Sequence, residues 1–273
     1  MTRVEDFDLT ALAAGIEAPP KSTRPAVPGR TGTGRLAALA DWWARVAPAS
    51  PGGPRRVEHR WVPGRVTLAP PSRVPVWDFP PEVPPKVSDA CRWGAAAADA
   101  ATDAGTDLLL VSVADAAGAA TLSAHLLGLD PVDAMGWPAR AGVDDATWIA
   151  EVAALRDGLR AVREVFEPTS LLEDLGSPAI AAGVGLLLQA GARRTPVMLD
   201  GPGAVACAQL AYRVTRRVRG WWQVAQSDGS VLHDAGLEKL LLDPLLRLDI
   251  HAEDGTAARL ALAVLEAATT PQP

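Results

Sequence analysis

The apolar and polar positions fall into a regular alternation from residue 88 onward. Ser88 or Asp89 can cap a helix over 88–104, with Gly105 at its end. The run DLLLVSV, residues 107–113, is mostly apolar and reads as a parallel strand buried on both faces. Residues 114–120 predict a small-residue loop, and 121–127 a helix ended by Gly128. Asp144 and Asp145 open a further helix over 144–165, with acids first, as the helix dipole favours. A short helical turn at 171–175 precedes Pro178, which suits the first turn of a helix over 178–192. Residues 196–199 form a short apolar run, followed by Asp200-Gly201 and a helix of small residues. Then come a strand over 218–225, a polar loop over 226–233, a helical stretch at 237–242, a turn at 244–248 and a helix over 256–268. Strands that alternate with helices predict an α/β protein with a mostly parallel sheet covered on both faces.

The first third of the chain is less regular. A short helical pattern over 9–16 leads into a Pro/Gly-rich arm, and a helix over 35–46 presents Leu36, Leu39, Ala40 and Trp43 on one face. Trp42 and Trp43 read as core plus partner surface. Prolines through 48–87 exclude a long helix or a central strand, leaving an extended connector with an edge strand at 65–68. The expected organisation is an N-terminal arm and helix (1–47), the connector (48–87), an α/β domain (88–268) and a tail (269–273).

With 273 residues and 48% apolar content, the chain has ample material for a large core. A net charge of −6 argues against nucleic acid as a partner, because phosphate binding needs a basic surface. No apolar run is long enough to span a bilayer, and the N-terminus lacks a signal-peptide pattern, so no membrane partner is expected. Cys91 and Cys207 show neither metal nor redox spacing, which fits a reducing, cytoplasmic compartment.

Two positions draw attention as chemistry. Asp200-Gly201 follows a buried strand, where open α/β sheets bind ligands; a tight turn with an Asx bond is the plainer reading. Glu253, Asp254, Gly255 and Thr256 stand at the start of the last helix, where Asp254 is either a general base or a helix cap worth ~1 kcal/mol. His59, His125, His233 and His251 make no recognisable catalytic order, and each reads as structural or exposed. The basic clusters Arg193-Arg194 and 213–219 (RVTRRVR) read as solvated faces that can also attract an anion.

The segment LLLQAGARRTPVMLDGPGAVACAQLA, residues 186–211, resembles the helix–strand–Asp-Gly–helix segment of the nicotinate-nucleotide–dimethylbenzimidazole phosphoribosyltransferases almost position by position. The similarity is closest to actinobacterial members. It extends through Trp221-Trp222, Asp243-Pro244-Leu245-Leu246 and 255–265, and upstream through Gly34-Arg35-Leu36, AGTDLLLVSV and DDATWIAEVAALRDGL. It covers roughly 30–47 and 88–268. The resemblance implies a Rossmann-like three-layer parallel sheet, a small domain built from terminal segments, a homodimer and no cofactor or metal. It also implies the synthesis of α-ribazole phosphate for the lower ligand of cobalamin. The substrates would be nicotinate mononucleotide and a benzimidazole-type base. Substrate contacts carry over to Asp200, Gly201, Gly118, Thr121, Gly176 and Gly255, with the general base at Asp254 and Glu253 beside it.

The departures from the family pattern all concern chemistry. The base position holds Asp254, one methylene shorter than the family's Glu, and Glu253 replaces a glycine. The phosphate loop has become ADAAGAAT, residues 114–121, with Asp115 added and most glycines gone. The family's phosphate-contacting Lys falls on Glu151. Gly176-Ser177-Pro178-Ala179 lacks the expected acid, and the family's early Ala-Gly-Asp-His-Gly strand is not recognisable in 48–87. At an effective dielectric of 20, each unit of charge repulsion at ~5 Å costs about 3 kcal/mol. The residues therefore point to a divergent member with weakened or lost catalysis. The alternatives are a non-catalytic paralogue that binds an aromatic base or a partner subunit, and a transferase acting on an uncharged nucleoside or aromatic substrate.

Overall fold

The computed structural model describes residues 7–21, 34–62, 83–136, 143–251 and 255–270. Four parallel strands make the main sheet: β1 (Val57–Val62), β2 (Leu108–Val113), β3 (Val197–Asp200) and β4 (Trp222–Val224), adjacent in that order. β2 and β3 are buried along their whole length, in keeping with their mostly apolar sequences. Two further two-residue strands, β5 (Gln226–Ser227) and β6 (Leu246–Arg247), pair in parallel beyond them.

Helices α1 (Leu9–Ala13), α2 (Arg35–Val46) and α3 (Val87–Asp103) precede or follow β1. Between β2 and β3 lie α4 (Ala116–Leu127), α5 (Pro131–Met135), α6 (Asp145–Val162), α7 (Pro168–Leu175) and α8 (Pro178–Ala192). α9 (Gly201–Val214), α10 (Val231–Leu240) and α11 (Thr256–Thr269) complete the chain. α8 and α9 pack on the sheet and on each other, while α11 packs on β3 and on α2, giving the three-layer arrangement. The terminal segments come together in the α2–α11 pair. One hydrophobic core runs from Leu9 and Trp43 through the sheet to Leu265.

The α3–α8 crossing depends on glycine. A Cβ on Gly94 would lie 1.9 Å from the Ala182 carbonyl oxygen, and one on Gly185 would lie 2.0 Å from that of Cys91. Cys91 and Cys207 are free and buried in this layer. Burial raises the Cys91 thiol to about 12, against a smaller lowering by Arg92, and raises Cys207 further.

Four sequence expectations need correction. The stretch expected as a bare connector contributes an edge strand, β1, at 57–62, bracketed in sequence by Pro54 and Pro63; an edge position tolerates such neighbours. The strand expected at 65–68 lies outside the described residues. The loop expected at 114–120 is mostly helix. Alanine has the highest helix propensity, and Asp115 caps the new first turn by accepting from the Gly118 N–H at 2.9 Å. The strand expected from 218 starts at Trp222, because Arg216–Trp221 form a 3₁₀-helix, and α10 begins at Val231, inside the expected polar loop.

Trp42 and Trp43 are both buried, donating to the Gly220 and Ser50 carbonyls respectively. They therefore act in the core rather than on a partner surface.

Candidate functional site

A cavity of about 940 Å³ opens beyond the carboxyl end of β3. Its floor is Asp200, Gly201 and Pro202, where β3 turns into α9. One wall is the alanine face of α4 with Ser123; another is Met135, Gly136, Trp148, Glu151 and Leu155 from α5 and α6. The third is the segment from Gln226 through Asp228 to His233, with Ile250 and His251. Trp148 donates its indole N–H to the Gly136 carbonyl at 3.0 Å, which fixes the ring in the wall. The Gln226 amide both donates to and accepts from the Ile250 backbone, tying the chain at 250 to β5.

Among the described lining residues the fixed charge is one-sided. Glu151, Asp200 and Asp228 line the cavity, and among the described residues no Lys or Arg does. A phosphate there would meet three carboxylates and, among the described lining residues, no fixed cation.

Asp200 is the end of a buried polar row across three strands. His59 on β1, Ser112 on β2 and Asp200 on β3 are each at most 4% exposed. Ser112 Oγ donates to Asp200 Oδ2 at 2.8 Å, and its lone pair faces His59 Nε2 at 2.9 Å. Because the single hydroxyl proton goes to Asp200, His59 Nε2 carries a hydrogen and donates. The other face of His59 meets Gly255, the N-cap of α11, where an added Cβ would come within 2.1 Å of Cε1. The row thus links the cavity floor to the residue that follows the proposed base.

A second polar pair sits in the wall. His233 Nδ1 lies 2.9 Å from Asp228 Oδ1, and both residues are buried. Asp228 Oδ1 also accepts from the Ser230 backbone N–H at 2.9 Å and from its hydroxyl at 2.8 Å. Burial alone would raise the Asp228 carboxyl. The hydrogen bond and charge of His233, with the Ser230 bonds, outweigh it and hold the group at about 2.

The residues expected to contact substrate separate into two sets. Asp200 and Gly201 line the cavity; Gly118, Thr121, Gly176 and Gly255 do not. Gly118 gives its N–H to Asp115, whose Oδ2 also accepts from Ser177 Oγ at 2.5 Å. The chain's own carboxylate therefore caps the start of α4. Thr121 is buried against Gly158 of α6, and Gly176 is the left-handed residue (φ 64°) that ends α7. Glu253 and Asp254 lie outside the described residues. Glu151 lines the cavity.

Four arginines of the basic clusters are committed elsewhere. Arg193 pairs with Asp99 and Asp103, Arg194 with Glu17, and Arg213 and Arg219 hold the carbonyls of Phe166 and of Leu240 and Leu241. His59, Ser112, Trp148, Asp228 and His233 were not singled out by sequence as cavity groups. The one local signal was Asp228-Gly229-Ser230, an Asx turn ahead of an apolar run.

Comparison with known proteins bears on this geometry. The family model described as Phosphoribosyltransferase matches residues 84–271, most of the chain and nearly all of the cavity wall. The chain belongs to the nicotinate-nucleotide–dimethylbenzimidazole phosphoribosyltransferase family. The family member of that name from Streptomyces avermitilis is 40% identical over 183 residues, 66% of this chain and 48% of the relative. The one from Mycobacterium ulcerans is 41% identical over 175 residues, 63% of this chain and 48% of the relative. The chain thus spans about half the length of the curated phosphoribosyltransferases it matches. Two crystal structures from Thermus thermophilus, of CobT and of a protein with the transferase's name, superpose with TM-scores of 0.71 and 0.68 at 22% identity. They cover 96% and 97% of this chain and 95% of their own, a shared fold that takes in the N-terminal helices and β1.

No helix among the described residues is long and apolar enough to cross a membrane, and no group of His, Cys, Asp and Glu among them is arranged to hold a metal ion.

Proposed function

We propose that this family member binds a benzimidazole-type aromatic base in the cavity and has weakened or lost phosphoribosyl transfer from nicotinate mononucleotide. The observation that carries this reading is the lining: three carboxylates, no Lys or Arg among the described residues, and apolar walls from Leu155, Val205 and Leu232 around Trp148. An uncharged planar base fits such walls, whereas a phosphate is repelled by them. The self-capped start of α4 supports the same reading.

In this reading Asp200 and Gly201 contact the base, Asp254 is the residual proton acceptor, and Glu253 adds to the repulsion of a nucleotide. The place of the protein is the cobalamin lower-ligand branch, in the cytoplasm, with the fold kept as a base-binding or partner subunit. A homodimer is part of the proposal. Val132, Ile149 and Val231, all exposed, lie on or beside the cavity-forming elements and supply apolar surface for a second copy.

Calorimetry with dimethylbenzimidazole and nicotinate mononucleotide, titrated separately, tests the proposal. Micromolar binding of the base with no measurable nucleotide binding is the expected result. Micromolar nucleotide binding, with turnover abolished by Asp254→Ala, would overturn it. A second reading, transfer from an uncharged nucleoside, is favoured by the same all-acidic lining. Nicotinate released from its riboside would identify that case.

A further inference from the structure

We propose that a second pocket, at the amino end of β4, binds a small organic carboxylate: Arg219 and Arg35 hold the carboxylate group, and an apolar lining holds its body. The proposal does not depend on the base-binding reading.

The pocket has a volume of about 270 Å³ and lies between α2, the 3₁₀-helix at 216–221 and the segment 241–245. It takes in Gly220 and Trp222, where β4 begins. Because β3 and β4 run parallel, this is the opposite end of the sheet from the acidic cavity. The sign of the charge is opposite as well. Arg35, Arg45 and Arg219 line the pocket against one carboxylate, Asp243, among the described residues. Arg35 pairs with Asp243 at 3.2 Å, and Arg45 with Asp41 at 3.2 Å. Arg219 has no carboxylate partner among the described residues, so its charge is left over.

Arg219 is also held in place. Its Nε donates to the Leu240 carbonyl at 2.8 Å and its Nη2 to the Leu241 carbonyl at 2.5 Å, both at the end of α10. Its third nitrogen, Nη1, has no hydrogen-bond partner among the described residues and is open to solvent. Arg35 gives Nη2 to the Pro244 carbonyl, and its side chain is 54% exposed. A guanidinium is a fixed cation whose rigid fork of donors matches a carboxylate. Arg216 and Arg217, exposed on the same 3₁₀-helix and unpaired among the described residues, strengthen the positive field.

The ligand is organic because most of the remaining lining is apolar. Leu39, Trp42, Leu242 and Leu245 face it. So does Leu241, which ends α10 in the left-handed region (φ 53°) and is 69% exposed. A bare inorganic anion would leave these surfaces wet, whereas a carboxylate with an apolar body covers them. The volume falls just below the roughly 300–1,000 Å³ of sites for larger ligands, which limits that body to about one ring.

Benzoate, benzamide and inorganic phosphate are the probes, titrated by calorimetry on the full chain and on Arg219→Gln and Arg219→Lys. Benzoate is expected to bind at least about tenfold more tightly than benzamide, its uncharged analogue, as one charge-assisted hydrogen bond implies. It should also bind more tightly than phosphate. Arg219→Gln should lower benzoate affinity to that of benzamide and leave benzamide within about threefold. Arg219→Lys, which keeps the charge but not the fork, should restore part of the preference. In protein labelled with ¹⁵N-tryptophan, benzoate should shift the indole signals of Trp42 and Trp222 and leave that of Trp148, in the acidic cavity, in place. Equal wild-type affinity for benzoate and benzamide, or benzoate affinity unchanged in Arg219→Gln, would overturn the assignment. Phosphate binding without benzoate binding would overturn the organic ligand class. If Arg219→Gln does not fold, the wild-type spectra decide: Trp42 and Trp222 signals unmoved at saturating benzoate overturn the proposal alone.

Discussion

The α3–α8–α9 layer and the cavity wall are neighbours with opposite chemistry. In the first, glycine and alanine bring helix backbones so close that a Cβ on Gly94 or Gly185 has no room, and the two cysteines are sealed inside. In the second, polar groups are set among apolar walls, the fixed charge of the described lining residues is all negative, and buried hydrogen bonds hold Asp200 and Asp228 in place. The packed layer carries the family's fold because almost any change there meets backbone. The wall can change with less effect on the scaffold, since it borders open space on one side. Fold and chemistry can therefore diverge at different rates in one chain.

The largest expected effect belongs to the packed layer. Gly94→Val places a side chain on the Ala182 carbonyl, and a loss of at least about 3 kcal/mol is expected in thermal or denaturant unfolding. A variant that melts with the wild type would show that the helices can part, and the contrast with the wall would fail. Next in size is Glu151→Lys. Reversing one charge in the cavity should raise nicotinate mononucleotide affinity by about tenfold or more, with unfolding stability changed by under ~1 kcal/mol. Calorimetry and melting together check both halves.

Asp115→Ala sits between the two regions. It removes the cap on Gly118 and the bond from Ser177, and a destabilisation of about 1–2 kcal/mol is expected. If inorganic phosphate then raises the melting temperature of the variant but not of the wild type, the freed N–H groups have regained an anion site.

A smaller effect comes from pH. The folded Asp228 carboxyl lies near 2 rather than 3.8, so the folded state binds fewer protons there than the unfolded chain does. Its contribution is complete above 3.8 and is lost as pH falls through about 2. Unfolding free energies of the wild type and Asp228→Asn should therefore converge between those limits, and parallel curves would contradict the dyad. Least perturbing is thiol labelling: Cys91 and Cys207, buried and held protonated, should react with a thiol reagent only at the rate of unfolding.

Much of the scaffold was legible from residues alone. The mostly apolar run at 108–113, the acid at Asp144, Pro178 in a first turn and the Asp-Gly turn after β3 announce their elements locally, because burial on two faces and unpaired helix termini leave a direct mark on composition. The local signal misled where two structures compete for the same small residues. At 114–120, loop glycines had given way to helix-forming alanines and a capping Asp, and the propensity of the replacement residues decided the outcome. β1 was hidden among prolines because an edge strand is recognised by what it pairs with, and its partner is about 50 residues away.

By itself the sequence determined the family, the α/β class, the order of the central elements and the excess of acid over base near the expected site. Only the tertiary structure decided which of those acids share a space. It joined Glu151, Asp200 and Asp228 around one cavity, turned Asp115 into a cap, and committed Arg193 and Arg219 to partners elsewhere. It also made two single histidines into members of pairs, His59 with Ser112 and His233 with Asp228. The physical reason is range. Helix caps and strand burial act over a few residues and are written locally, whereas a hydrogen bond between strands or a charge in a cavity exists only once distant segments have packed.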